Sequence, residues 1–175
     1  MEPPSSPDAA YTGGMSFPSV SPVGETEVIV DDIRWRARVP NAEAIVRRAL
    51  AAATADGGAV PETVMLSSDR VVKRLNMRHR GRNKPTNVLT FEPPLPGLGG
   101  EIVLALETVC REAASAGRTP AAHLAHLVVH GVLHLDGYDH HQAGEARQME
   151  MEETRILSRI GIACPWKSRM TTRGA

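Results

Sequence analysis

Residues 130–141, "HGVLHLDGYDHH", hold four histidines, two glycines and two aspartates in twelve positions at the end of an apolar run. Histidines four apart on a helix sit one turn apart on the same face, so His130 and His134 can share one ion. Gly137 then lets the backbone leave the helix, as glycine just past a helix end does, and the chain can bring His140 back to the same point. Three neutral imidazoles with a fourth position left for water make an open, reactive zinc-type site rather than a closed structural one. The plainer alternative is separate core or surface histidines that happen to cluster, and the spacing outweighs it. His141 competes with His140 for the third position. The register set by Gly137 favours His140, and Asp139 beside it can support the ligands. His126, one turn before His130, reads as a hydrogen-bonded or core residue rather than a ligand, and His123 as a helix-surface residue.

The spacing H-x-x-x-H-x-x-G-x-x-H is also that of the metzincin proteases, which carry a glutamate directly after the first histidine as general base. Here that residue is Gly131, which has no side chain, so proteolysis by that route is disfavoured. A metal bound at these histidines can still lower the pKa of its water to about 7 and act as a Lewis acid on a phosphoryl oxygen.

A second segment suggests what such a metal would act on. Between Arg70 and Lys84 there are seven Lys or Arg and no acidic residue. For Arg70, Lys73 and Arg74 a solvated helix face is an equally good explanation. Arg78, Arg80, Arg82 and Lys84 crowd a loop ending in Pro-Thr, where long cations have little structural reason to gather, and anion binding is the better reading. Such a loop beside a metal site suits a phosphodiester, with arginine stabilising the extra charge of a five-coordinate transition state. Aromatic residues make up only 3% of the chain, so recognition should rest on backbone and shape more than base stacking. Single-stranded RNA fits this better than duplex DNA.

The elements that must position these residues follow from periodicity. Residues 1–24, rich in Pro, Ser and Gly, read as a disordered tail, with Met15 as a second candidate start. "TEVIVDD" is a strand whose pairing "WRARV" continues after a turn. Pro40 and Asn41 open a helix with Ala44, Ile45, Leu50, Ala51 and Ala52 near one face, and "DGG" stops it. "ETVMLSS" is a strand, and Ser68 or Asp69 caps a helix to about His79. "NVLTFEP" and "GEIVLAL" are strands joined by the Pro/Gly-rich "PPLPGLGG". Three helices follow: one from Glu107 to Gly117, one capped by Thr119 with Pro120 in its first turn, and one over "EARQMEMEETRILSRIG". The order implies an α+β fold, a mixed sheet of about four strands packed with about five helices in a single domain.

Composition bounds the rest. With 175 residues, 42% hydrophobic and 23% charged, the chain has the profile of one ordinary globular domain. Lys plus Arg equals Asp plus Glu at 20 each, so any anion-binding surface arises by local clustering. Cys110 and Cys164 form neither a C-x-x-C pair nor a disulfide framework, which suits reduced thiols in the cytoplasm. Neither a membrane span nor a leader for export is visible, and neither a membrane nor DNA is expected as a partner.

Three segments, "LNMRHRGRNKPTNVLTF", "GGEIVLA" and "HGVLHLDGYDH", occur in the order in which similar segments occur in the YbeY family of bacterial rRNA maturation factors, and the chain resembles that family over about residues 26–162. The resemblance implies a metal-dependent, single-strand-specific endoribonuclease domain over 25–162, followed by a flexible tail at 163–175. It implies that His130, His134 and His140 ligate one zinc ion. Arg80 would be the main catalytic arginine, and the crowding of charge in its loop, apart from the resemblance, marks Arg78, Arg82 and Lys84 as RNA-binding residues. The resemblance further implies a role in maturing the 3' end of 16S rRNA and in ribosome quality control, with the rRNA precursor and the ribosome as partners. His79 stands where the family more often has an aromatic, Asn83 and Asn87 where Asp is common, and Glu101 where the strand more often begins with Asp.

Two other functions fit parts of this pattern. A metal-dependent peptidase or amidase would need a general base other than Gly131, with Glu101 or Asp139 as candidates. A ribosome-assembly factor would use the metal to hold the fold. The attacking group, water or the RNA 2'-hydroxyl, stays open, and three imidazoles accept nickel, copper or iron as well as zinc.

Overall fold

The computed structural model of the protein describes residues 24–83, 85–139, 143–163 and 165–166. Most of both expected tails, together with Lys84, His140, His141 and Cys164, lies outside them. Ten elements follow one another in the described chain: β1 (Glu27–Val30), α1 (Arg34–Arg38), α2 (Ala42–Thr54), β2 (Thr63–Ser67), α3 (Asp69–Arg80), β3 (Val88–Phe91), β4 (Glu101–Ala105), α4 (Leu106–Ser115), α5 (Pro120–Leu135) and α6 (Ala143–Arg159). The sheet runs β1-β2-β4-β3, with β1 and β4 parallel to β2 and β3 antiparallel to β4. The expected mixed four-stranded α+β fold is therefore present, with α1 as a sixth helix.

Side chains alternate across the strands, so the sheet has two buried faces. Val64 and Leu66 of β2 lie beside Ile102 and Leu104 of β4, and these four join the main core with α2, α5 and α6. Leu89, Val103 and Ala105 point the other way and are covered by Val72 and Leu75 of α3. The histidine helix and the basic helix thus lie on opposite faces, and both touch β3 and β4.

Two readings of the sequence need correction here. "WRARV" forms α1 and Val39 beyond it, not a strand. In so short a stretch Trp35 and Val39 fit a period of two and a helical turn equally well. The helix prevails because it buries both, and the Trp35 indole N–H donates to the Ser67 carbonyl at 2.8 Å. On α2 the buried face is Ala42, Val46, Ala49, Leu50, Ala52 and Ala53, while Ala44 and Ala51 are exposed. A run so rich in alanine marks the core face poorly, because alanine is tolerated on either side.

The helix starts follow their sequence signals. Ser68 accepts the Val71 N–H at 3.4 Å and Thr119 accepts that of Ala122 at 3.1 Å, with Pro120 opening α5. A further arrangement joins α3 to α4: Glu107 accepts the backbone N–H of Asp69 at 2.8 Å, and Asp69 accepts the N–H and hydroxyl of Thr108 at 2.9 and 2.8 Å. Each helix supplies the carboxylate that caps the other. Arg34 closes the cluster through Asp32 and Glu107, at 2.6 Å to each.

Candidate functional site

α5 runs through the middle of the main core, and it is buried on nearly every side between His123 and Leu133. It passes so close to the sheet at Gly131 that a Cβ there would meet the Ile102 side chain at 2.9 Å. This accounts for glycine where a metzincin carries its glutamate: the position faces packed core, not solvent. The helix ends at Asp136, and Gly137 follows with φ of 90°, the left-handed turn expected of it.

One turn apart on α5, His130 and His134 bring their Nε2 atoms to 3.0 Å, with ring centroids 4.5 Å apart. At this separation the N–H of one ring can donate to the lone pair of the other, and with that proton removed both lone pairs can face one metal ion. Two ligands of one tetrahedral zinc lie about 3.3 Å apart at ordinary Zn–N lengths, so the pair fits a shared ion with little movement. On its other side, the Nδ1–H of His130 donates to Glu153 at 2.6 Å, which directs the Nε2 lone pair toward His134. Among the described residues no group of three His, Cys, Asp or Glu is placed to hold a metal. The third expected ligand, His140, lies outside the described residues.

Glu153 of α6 is 1% exposed and collects three donors: Nδ1 of His130, Nε2 of His126 at 3.1 Å and the Trp166 indole at 2.9 Å. Burial pushes its carboxyl up, but the hydrogen bonds and charge of His126 and His130 outweigh that and bring it down to about 2. It is an acceptor throughout the neutral range. His126 meets Arg118 through its other nitrogen at 3.3 Å, so it is the hydrogen-bonded core residue its position suggests. His123 differs from expectation: it is buried, not on the surface, and its Nε2 pairs with Glu112 at 2.9 Å. Burial is the larger influence on it and lowers its pKa despite that carboxylate. Its place on the α4-facing side of an almost fully buried helix overrides the exposure that histidine usually prefers.

Beyond the end of α5, Asp136, Gly137, Tyr138, Asp139, Glu145 and Gln148 line an open cleft of about 290 Å³. Asp136 accepts the Ala59 N–H at 2.5 Å, tying this corner to the loop after α2.

The basic segment occupies the other face and its edge. Arg80, the last residue of α3, donates to the Thr90 carbonyl of edge strand β3 at 3.2 Å, and among the described residues no hydrogen bond links it to the histidine pair. Arg78 and Arg82 are exposed and make no ion pair with a described residue, while Lys84 lies outside the described chain. His79 sets its ring edge against Phe91, 5.0 Å between centroids, so an aromatic contact is kept at this position. Asn87 donates to Glu112 at 2.9 Å and thereby holds the start of β3 to α4.

Glu153, Arg118 and Trp166 belong to the site although no motif contains them. Glu153 alone leaves a trace in the sequence: it interrupts the apolar stripe formed by Met149, Ile156 and Leu157, and a carboxylate on a core face needs partners.

Fold and site together define the class: a single-domain α+β protein with a helix-borne histidine pair oriented by a buried carboxylate. The family model described as Endoribonuclease YbeY matches residues 30–161, and the chain belongs to that family. It is 56% identical over 147 residues to an Endoribonuclease YbeY of Gluconobacter oxydans, covering 81% of this chain and 88% of that one. To an Endoribonuclease YbeY of Rhodospirillum rubrum it is 48% identical over 152 residues, 75% of this chain and 76% of that one. The fold is similar to the solution structure of a Thermotoga maritima protein, with a TM-score of 0.54 at 23% identity, covering 85% of this chain and 94% of that one. No helix among the described residues is long and apolar enough to cross a membrane.

Proposed function

We propose that this chain is a metal-dependent endoribonuclease that cuts single-stranded RNA and works in the cytoplasm on the 3' end of the 16S rRNA precursor, in maturation and in ribosome quality control. The observation that carries the reading is the 3.0 Å approach of His130 and His134 with Glu153 behind His130. Membership of a family described as endoribonuclease supports the substrate class. His130, His134 and His140 would hold one ion, and zinc suits three imidazoles best. When bound, such an ion supplies Lewis acidity and a water of lowered pKa.

The protein's own part is orientation and charge. Glu153 holds the proton on Nδ1 of His130 and so keeps Nε2 available as a ligand. Arg80 binds the phosphate at the scissile bond and stabilises the charge that develops on it, and Arg78, Arg82 and Lys84 bind the strand on either side. Attack by water gives linear phosphate ends, whereas attack by the 2'-hydroxyl leaves a cyclic phosphate.

The test uses purified protein of measured metal content and a labelled single-stranded RNA carrying the 3' end of the 16S precursor. His134→Ala and Arg80→Glu, checked for folding by circular dichroism, should both lose cleavage. Undiminished cleavage by either folded variant removes the role assigned to that residue. No cleavage by metal-loaded wild type would favour an assembly factor with a structural metal. Mass analysis of the new 3' ends decides the attacking group.

A further inference from the structure

The outer face of α3 carries three cations, Arg70, Lys73 and Arg74, that the site described above does not use, in line with Arg78, which it does. Arg70, Lys73, Arg74, Met77 and Arg78 recur at helical spacing and are all exposed, while Val72 and Asn76 on the opposite side are buried. They form one stripe spanning roughly 12 Å along the helix axis.

Five exposed arginines elsewhere on this chain have carboxylate partners, whereas Arg38, Arg47, Arg48 and Arg147, like the α3 stripe, make no ion pair with a described residue. Arg34 pairs with Asp32 and Glu107, Arg36 with Glu43, Arg111 with Asp69, Arg155 with Glu152 and Asp56, and Arg159 with Asp56. The stripe on α3 has no such partner: none of Arg70, Lys73, Arg74 and Arg78 makes an ion pair with a described residue. It also runs against helix energetics. Like charges three and four residues apart repel, and cations in a first turn oppose the helix dipole, each at a few tenths of a kcal/mol. What distinguishes the stripe is crowding: four cations on one helix face, in a segment with no acidic residue between Arg70 and Lys84, suit an external polyanion.

Its direction says which one. The stripe descends α3 toward Arg80, whose guanidinium sits on the carbonyl of edge strand β3, and β3 also packs against α5. A flexible strand can therefore turn around the edge of the sheet at β3 and continue along α3, which a straight duplex cannot do. Met77, 51% exposed amid the cations, offers an apolar contact to an unstacked base.

We propose that Arg70, Lys73 and Arg74 form a phosphate-binding track for single-stranded RNA on the face of the sheet opposite the histidines, holding the strand on one side of the point where it is cut. This rests on the ribonuclease reading and extends it: long substrates would be gripped on two faces, short ones on one.

The experiment measures RNA affinity against salt in a His134→Ala background, so that the strand stays whole. The triple variant Arg70→Gln, Lys73→Gln, Arg74→Gln is compared with its parent on a short oligomer and on a strand several times longer. For single strands the logarithm of affinity falls with that of salt by about 0.7 per phosphate neutralised, so three lost contacts reduce the slope by about 2. From 50 to 200 mM salt the parent should then lose about 16-fold more affinity for the long strand than the variant does. The short oligomer should bind both alike, and Arg70→Lys, Arg74→Lys should keep the parental slope. An unchanged slope on the long strand overturns the track and leaves the ribonuclease reading intact. So does an unchanged slope accompanied by lost binding to small ribosomal subunits, which would make the stripe a protein-facing surface. Failure of the parent, and of wild type, to bind RNA of either length overturns both.

Discussion

Replacing Glu153 by Gln keeps the shape of a buried side chain and changes what it can accept. The carboxylate takes three N–H donors, from His130 at 2.6 Å, Trp166 at 2.9 Å and His126 at 3.1 Å. An amide has one oxygen and one N–H₂, so in either orientation its donor faces at least one of those N–H groups. If it faces His130, the ring must shift its proton to Nε2, the atom that approaches His134, and that nitrogen can no longer ligate. If it faces the other two, His126 and Trp166 are left unpaired in a dry interior. Losing a support of this kind lowers metal affinity about 10- to 100-fold, equivalent to about 1.4–2.7 kcal/mol. In the metal-free protein one or two hydrogen bonds to a charged group are lost, which should lower unfolding free energy by about 2–4 kcal/mol. Competition against a chromophoric zinc chelator reads the first effect and urea denaturation of the metal-free protein the second. Wild-type zinc affinity in a folded Glu153→Gln protein would refute the claim that this carboxylate orients His130.

Further predictions follow from other parts of the fold. Gly131→Ala forces a methyl group against Ile102 and should cost about 1–3 kcal/mol by urea denaturation, with an unchanged midpoint as the contrary result. Burial raises the pKa of Glu107, but the Asp69 N–H and Arg34 outweigh it and hold the group below its ordinary 4.5. Its folded pKa lies below the unfolded one, so its contribution is present above the ordinary carboxylate range and lost as pH falls through the depressed value. Melting temperature should accordingly drop less on acidification below about pH 4.5 in Glu107→Gln than in wild type, and parallel curves would count against this. Burial also pushes the Cys110 thiol up, so peptide-resolved iodoacetamide labelling at neutral pH should find it slower than a free cysteine peptide. Labelling at the peptide's rate would contradict that.

Wherever one local rule decided the structure, that rule could be read from the residues. Ser68, Thr119 with Pro120, and Gly137 stand where their chemistry places helix ends, and the four strands follow their β-branched runs. The i, i+4 spacing of His130 and His134 led directly to two nitrogens at one point. What escaped depends on contacts distant in sequence. Trp35 chose a helix because Ser67, 32 residues on, offered a carbonyl to its indole. His123 was drawn inward with a helix buried on nearly all sides, and Glu153 gained its role from histidines on another helix, 23 and 27 residues away. The basic segment was visible as charge, but its division into Arg80 on the β3 edge and a free stripe on the outer face needed the sheet between them.

The exchange of carboxylates between Asp69 and Glu107 also bears on how the molecule comes apart. Neither α3 nor α4 can fray from its start without stripping a cap from the other, so their first turns should open together. In hydrogen exchange the amides of Asp69 and Thr108 would share one opening free energy although they are 39 residues apart, and Glu107→Gln would lower both. The platform carrying the basic stripe is thus locked to the strand-to-helix junction after β4, at the far end of α3 from Arg80. The N-terminal half of α3 would stay registered on the sheet while its C-terminal end and the loop beyond adjust to a bound strand.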